Sequence, residues 1–172
     1  MKKFITNPYF KKGLPGDDGN DPTSTDVEAV KKLLNLCPKA AETPLIEVDN
    51  LNEKLGIKKL WIKDERDRMG LGSFKALGAA FVIASDAAKS LNSSSKNEDW
   101  STALNGKTYI SASAGNHGIS LAAGARIFGA KSVIYLSKNV PSSFADRIRS
   151  FGADVVVHGN DYEESLEGAK QE

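Results

Sequence analysis

Two short segments hold the residues best suited to chemistry. The first, residues 63–78, has the sequence KDERDRMGLGSFKALG and places Lys75 directly after Phe74. The second, residues 111–118, has the sequence SASAGNHG. Each segment follows an apolar, strand-like run and precedes a helix-like pattern. A lysine amine that faces a turn rich in backbone donors suits a carbonyl cofactor with a phenolate and a phosphate, so the pair indicates pyridoxal phosphate chemistry.

Lys75 follows a predicted loop and stands near the start of a predicted helix. The positive end of the helix dipole and any burial disfavour the ammonium form, which favours the free amine that attacks an aldehyde. Ser73 can cap the helix, and Phe74 can give a flat ring an apolar wall. Because an isolated lysine more often solvates a helix face, the assignment depends on the second segment.

The second segment joins a predicted strand to a predicted helix with small residues throughout. Its amides and hydroxyls can form an anion-binding nest at a helix N-terminus. Asn116 adds a side-chain donor and an acceptor, and His117 adds a group that could touch a substrate. The alternative is a tight turn that Ser113 caps, with His117 incidental.

Other chemistries lack their sequence motifs. The dinucleotide fingerprint G-x-G-x-x-G fails because Lys75 stands where the third glycine should be, after Gly70 and Gly72. The sequence contains no G-x-x-x-x-G-K-[ST], no Cys/His cluster for zinc and no G-x-S-x-G elbow. The acids Asp64, Glu65 and Asp67 are interspersed with Arg66 and Arg68, which indicates a salt-bridged loop.

The composition is that of an ordinary globular protein. The 172 residues are 40% hydrophobic and 26% charged, and the net charge of +1 gives no reason to expect a nucleic acid or an anionic membrane as partner. The one cysteine, Cys37, fits a reducing compartment. No apolar run is long enough for a signal peptide or a membrane span, so we expect a cytoplasmic protein without a structural metal.

The elements that must position both segments alternate along the chain. Residues 1–40 are predicted to be an irregular arm and a short helix, with a capping box at residues 25–28, and residues 41–172 to be an α/β region. The alternation predicts an open parallel sheet flanked by helices. The predicted strands are 60–62, 108–110, 132–136 and 155–157, and the predicted helices are 73–91, 116–128 with a stop at Gly129, one that begins at Pro141, and 161–171.

Together the two segments resemble the pyridoxal-phosphate enzymes of the tryptophan synthase β group, which have fold type II. The pattern K-D-E-x-x-R-x-G-L-x-x-F-K-x-L-G at residues 63–78 looks most like the diaminopropionate ammonia-lyase branch. Threonine dehydratases usually carry arginine where this chain has Leu77. The T-P-L at residues 43–45 also matches the group. The resemblance implies the N-terminal lobe of a two-lobe enzyme.

The resemblance also implies roles for single residues. Lys75 would be the Schiff-base lysine that moves the proton at the substrate Cα, Phe74 would pack near the cofactor ring, and Asn116 would bond the phenolic oxygen of the cofactor. The loop that grips the substrate carboxylate would consist of Ser113, Gly115, Asn116 and His117. The implied reaction is α,β-elimination on a small amino acid such as 2,3-diaminopropionate, which gives a keto acid and ammonia. A threonine or serine dehydratase and a non-catalytic truncated paralogue are the alternatives.

The sequence departs from the family pattern in two places. Ala114 stands where the lyase branch commonly has an acid and serine racemase has a serine, so it cannot act as a base opposite the lysine. That argues against racemisation and leaves a dehydratase-like substrate open. The family's glycine-rich phosphate loop and the residue that meets the pyridine nitrogen lie in a C-terminal lobe, which nothing in this sequence matches. We therefore expect a fragment of a longer enzyme, which family analogy makes a homodimer.

Overall fold

The computed structural model describes residues 26–92 and 99–172. Its N-terminal part is a series of short elements, and Asp26 caps the first helix by accepting a hydrogen bond from the Ala29 amide at 3.0 Å. Thr25, the cap that the capping-box pattern predicts, lies outside the described residues. The elements are helix α1 (Val27–Leu36), strand β1 (Leu45–Glu47), helix α2 (Asp49–Leu55) and strand β2 (Trp61–Lys63).

Strands β1 and β2 form a two-stranded antiparallel sheet, with Leu45 opposite Lys63. The prediction that the strand near residues 60–62 belongs to the parallel sheet is therefore wrong. Gly56, at φ +64°, ends α2 in the left-handed conformation, and the chain returns alongside β1. A three-residue apolar run identifies a strand but does not specify the partner with which it pairs.

The remaining strands form a parallel sheet in the order β3–β4–β5. Helices flank this sheet, as the alternating pattern predicts. Apolar side chains of the sheet and of the helices that pack on it form the core, among them Ile83, Ile119, Ile134 and Ile148. The elements are α3 (Ala79–Asn92), β3 (Thr108–Ala112), α4 (Asn116–Ile127), β4 (Lys131–Leu136), α5 (Ser142–Ser150), β5 (Asp154–Val157) and α6 (Tyr162–Gln171).

Gly129 stops α4 as predicted, with φ +76°. A side chain there would also collide with the neighbouring loop, because a Cβ would lie 2.4 Å from Asn105 Oδ1 and 2.5 Å from the Ser101 carbonyl oxygen. The end of α4 is therefore closely packed against the neighbouring loop.

Within the described residues, no helix combines the length and the apolar character that a membrane span requires.

The predicted helix at residues 73–91 is divided in the structure. A 3₁₀ turn covers Phe74–Leu77, and Gly78 then takes φ −94° and ψ −91°, which lies outside the helical range, before α3 begins. The prediction of one continuous helix is therefore wrong at its N-terminal end. As a result, Lys75 lies in a short turn of its own rather than on the first turn of α3.

Candidate active site

The turn at residues 113–115 lies at the carboxyl end of β3, which is where open parallel sheets bind ligands. Gly115 precedes α4 in an extended conformation, and its carbonyl accepts from the Ile119 amide at 3.2 Å. Among the described side chains none caps this helix start, so the alternative in which Ser113 caps the turn is wrong. The first amides of α4 therefore remain available to an anion.

Gly118 allows this turn to fold back onto the first turn of α4. A Cβ at this position would lie only 2.3 Å from the carbonyl oxygen of Ser113, a distance that no real contact allows. Every residue larger than glycine would push the turn away from the helix. No sequence pattern predicts this role of Gly118, because only the folded turn brings Ser113 next to it.

Lys75 and Phe74 are exposed side by side on the 3₁₀ turn. The Lys75 ammonium nitrogen lies 4.9 Å from the centroid of the Phe74 ring. Ser73 caps the turn as predicted, since its Oγ accepts from the Lys75 amide at 3.2 Å. Ala76, only 1% exposed, anchors the turn in the core, and the turn packs against α4. The Lys75 side chain is exposed, which leaves its amine accessible.

Asn116 and His117 are exposed on the first turn of α4, and Ser113 is half-buried. An open cleft of about 340 Å³ runs between this turn and α6. Ser113 and His117 line one wall, and the other wall includes Tyr162, Leu166 and Lys170 of α6. Lys75 and Asn116 do not line this cleft. The sequence predicted the first wall but could not identify the second, because α6 folds back to it from a distant part of the chain.

A polar network fixes the loop that leads to Lys75. Arg68 donates to both carboxylate oxygens of Glu65, at 2.7 Å each, and to Thr43 Oγ1 at 2.8 Å. Thr43 in turn donates to Glu65 at 2.5 Å, and its carbonyl accepts from Lys63 Nζ at 2.6 Å. The hydrogen bonds from Arg68, and then the one from Thr43, lower the pKa of Glu65 to about 2. The prediction of a salt-bridged loop is confirmed, and the network joins it to the T-P-L segment.

Tyr109 fixes α3 against the sheet behind the site. Its hydroxyl donates to Asp86 Oδ2 at 2.9 Å, which joins β3 to α3. Burial, together with this hydrogen bond to a carboxylate, raises the pKa of Tyr109 to about 12. The tyrosine therefore stays a neutral donor, and it fixes α3, the helix that follows the lysine turn, to β3.

The donor set fits pyridoxal phosphate on chemical grounds. An exposed amine beside an aromatic face can hold an aldehyde and a flat ring, and uncapped amides with an Asn116 side chain can bind oxyanions. Gly115 leaves the approach open, because nothing lies within 4 Å of a Cβ built there. The described residues therefore supply partners for the aldehyde and for an oxyanion.

The chain is similar to known proteins along most of its length. The family model for "Pyridoxal-phosphate dependent enzyme" matches residues 36–172. The biosynthetic L-threonine dehydratase of Haemophilus influenzae is 33% identical over 167 residues, which are 96% of this chain and 27% of that protein. The diaminopropionate ammonia-lyase of Escherichia coli K12 is 33% identical over 128 residues, which are 72% of this chain and 32% of that protein.

The fold agrees with that similarity. A crystal structure of Escherichia coli diaminopropionate ammonia-lyase in complex with D-serine matches with a TM-score of 0.73 at 29% identity, and the match covers 84% of this chain and 38% of that one. The chain therefore spans about a third or less of the length of the curated relatives described above.

Proposed function

This chain belongs to the family of pyridoxal-phosphate-dependent enzymes, and we propose that it is the part of an amino-acid ammonia-lyase that holds the cofactor through Lys75. The proposed reaction is an α,β-elimination. With 2,3-diaminopropionate and one water, it gives pyruvate and two molecules of ammonia. The observation that most directly supports the proposal is an exposed lysine amine whose turn packs against the same helix that presents an uncapped N-terminus.

The residues of this chain would divide the work between two segments. When bound, pyridoxal phosphate supplies an electron sink for the pair left at the substrate Cα. Lys75 would hold the cofactor through Nζ and would accept the proton from the substrate Cα on the same atom. Phe74 would provide an apolar wall for the flat cofactor ring. Both roles of Lys75 need the exposed, accessible amine that the 3₁₀ turn provides.

The turn before α4 would bind the oxygens of cofactor and substrate. Asn116 donates its side-chain amide to the phenolic oxygen of the cofactor. The substrate carboxylate is held by a loop that presents amides, a hydroxyl and a ring nitrogen, formed by Ser113, Gly115, Asn116 and His117. Hydrogen-bond donors that are already fixed at a helix start need little reorganisation when a negatively charged group binds. They therefore favour binding of the substrate carboxylate.

Trapping of the cofactor tests the role of the lysine. The full-length protein is mixed with pyridoxal phosphate and reduced with borohydride, and the modified peptide is identified by mass spectrometry. We expect the adduct on Lys75 and its loss in Lys75→Ala. The control Lys131→Ala changes an exposed lysine in the first position of β4 and should trap normally. An adduct of unchanged yield in Lys75→Ala would overturn the assignment.

The substrate is tested with the same protein. We expect ammonia and pyruvate from 2,3-diaminopropionate at a higher kcat/KM than that for 2-oxobutanoate formation from L-threonine. The reverse order would favour the second candidate, a threonine or serine dehydratase. Two observations support that candidate: the threonine dehydratase match covers 96% of this chain, and Ala114 supplies no acid in the turn. Trapping without turnover of either substrate would favour a non-catalytic paralogue.

We also propose that the full-length protein acts as a cytoplasmic homodimer on a small amino acid. This rests on family analogy and on the single cysteine, Cys37, which is free and half-buried. Light scattering coupled to size-exclusion chromatography measures the assembly directly. A monomer with full activity would contradict the homodimer.

A further inference from the structure

Ser120 is a fully buried serine in the second turn of α4, with 0% exposure. The backbone amide of Ala80, in the first turn of α3, donates to Ser120 Oγ at 3.3 Å. A side chain of α4 therefore completes the start of α3. This contact joins the helix that follows the lysine turn to the helix that carries Asn116.

The first amides of an α-helix have no acceptor within that helix, so each needs a partner from elsewhere. In α3 the Phe81 amide donates to the Gly78 carbonyl at 3.0 Å, whereas the Ala80 amide reaches across to Ser120. Gly78 itself donates to the Lys75 carbonyl at 3.1 Å. The chain from Lys75 to Ala80 is therefore held by hydrogen bonds at both of its ends.

Gly124, one turn after Ser120, brings the two helices into close contact at the same place. A Cβ at Gly124 would lie 3.1 Å from Ala80 Cα and 3.2 Å from Ile83 Cδ1. Such close packing leaves little room for α3 to slide along α4. The hydrogen bond from Ala80 therefore acts at a point where the helix positions are already tightly constrained.

Asn116 and Ser120 are four residues apart on α4, so their side chains lie on the same face of the helix. Ser120 contacts the start of α3. The face that carries Asn116 is therefore the one that α3 and its preceding turn pack against. Asn116, the proposed donor to the cofactor oxygen, is thus linked through Ser120 to the start of α3. The turn that carries Lys75 directly precedes α3.

We propose that Ser120 is a positioning residue: by holding the Ala80 amide, it sets where Lys75 lies relative to Asn116. This inference rests on the proposed function, because that function gives Lys75 and Asn116 their roles. Because Ser120 is fully buried, it would not touch cofactor or substrate itself. Its effect is on the geometry of the lysine turn, and small displacements of a reacting group reduce rates steeply.

The test compares Ser120→Ala with the unmodified full-length protein in two measurements. Hydrogen exchange of the Ala80 amide, measured without cofactor, reports the hydrogen bond itself. The rate of borohydride-trapped adduct formation on Lys75 reports the position of the amine. We expect faster exchange at Ala80 and a rate of adduct formation that falls about tenfold.

Ser165→Ala is the matched control for simple loss of stability. Ser165 of α6 is also fully buried, and its hydroxyl lies within hydrogen-bond distance of the carbonyls of Asp161, at 2.8 Å, and His158, at 3.0 Å, neither of which belongs to α3 or α4. This variant should lower the unfolding midpoint while it traps the cofactor at the normal rate. Equal slowing in both variants would overturn the inference, since it would reduce Ser120 to a structural role.

The outcomes also separate this inference from the proposed function. Normal trapping in Ser120→Ala, with wild-type trapping intact, overturns the role of Ser120 alone. No trapping in the wild-type protein overturns the proposed function and the positioning role with it. In that case the Ala80 exchange rate still decides whether Ser120 fixes α3 to α4.

Discussion

Two regions of this protein use similar apolar residues in opposite ways. In the parallel sheet, Ile134 of β4 is 0% exposed, whereas Ile62 in the two-stranded sheet of β1 and β2 is 47% exposed. Helices pack on the first sheet, and all three residues of each strand in the second remain exposed. An isoleucine in a strand therefore contributes a core residue only where crossover helices cover it.

The two-stranded sheet is held largely by directional contacts instead. Arg68, Glu65 and Thr43 form the hydrogen-bonded network beside it, and Lys63 at the end of β2 donates to the Thr43 carbonyl. Such contacts fix geometry, but each contributes modestly to stability when water can compete. The comparison indicates that the parallel sheet supplies most of the stability, while the polar network orients the loop that carries Lys75.

The largest effect should come from matched truncations in the two regions. We expect Ile134→Ala to lower the free energy of unfolding by about 3 kcal/mol, because it removes buried methyl groups and leaves a cavity. Ile62→Ala should cost less than about 1 kcal/mol, since nearly half of that side chain is already exposed. Urea unfolding measures both. Equal losses would show that the two sheets are packed alike and would break the comparison.

A smaller contrast is expected for a single added methyl group. Gly118→Ala should cost about 2 kcal/mol and impair cofactor trapping, because its Cβ must displace the Ser113 carbonyl. Gly56→Ala meets nothing within 4 Å, so only its φ of +64° is unfavourable, at about 1 kcal/mol. Thermal unfolding and borohydride trapping test the pair. Normal trapping in Gly118→Ala would mean that the turn adapts.

The smallest effect should be confined to the two-stranded region and should depend on pH. The pKa of Glu65 is lowered to about 2 from an ordinary value of 4.5. A lowered folded-state pKa stabilises the structure above the unfolded value, and this stabilisation is lost as the pH falls through about 2. We therefore expect amide protection around β2 to decrease between pH 4.5 and pH 2, before protection in the parallel sheet decreases.

NMR titration of the Glu65 carboxyl group checks this directly. Arg68→Gln should return the pKa of Glu65 towards its ordinary value, because it removes the main hydrogen-bond donor. Arg149→Gln is the control, since Arg149 pairs with Asp146 on α5. A Glu65 pKa near 4.5 in the unmodified protein would contradict the network that the structure describes.

The strands and helices of the parallel sheet could be read largely from local patterns. The predicted helix at residues 116–128 and its stop at Gly129 agree with α4 to within one residue. Periodicity cannot reveal a break such as that at Gly78, because the apolar residues of the turn and of α3 still follow a helical spacing. Nor can it specify that β2 pairs with β1, since pairing depends on contacts between distant residues.

The sequence by itself determined the chemistry that this protein offers: a lysine beside an aromatic ring, and a small-residue turn at a helix start. These are local features, and their residue types and spacing carry the family resemblance. Only the tertiary structure decided how the helices that follow the two segments are joined, through the hydroxyl of Ser120 and the close contact at Gly124, and how the loop before Lys75 is fixed, through the network around Arg68. Such contacts join residues far apart in sequence, so they exist only once the helices have packed.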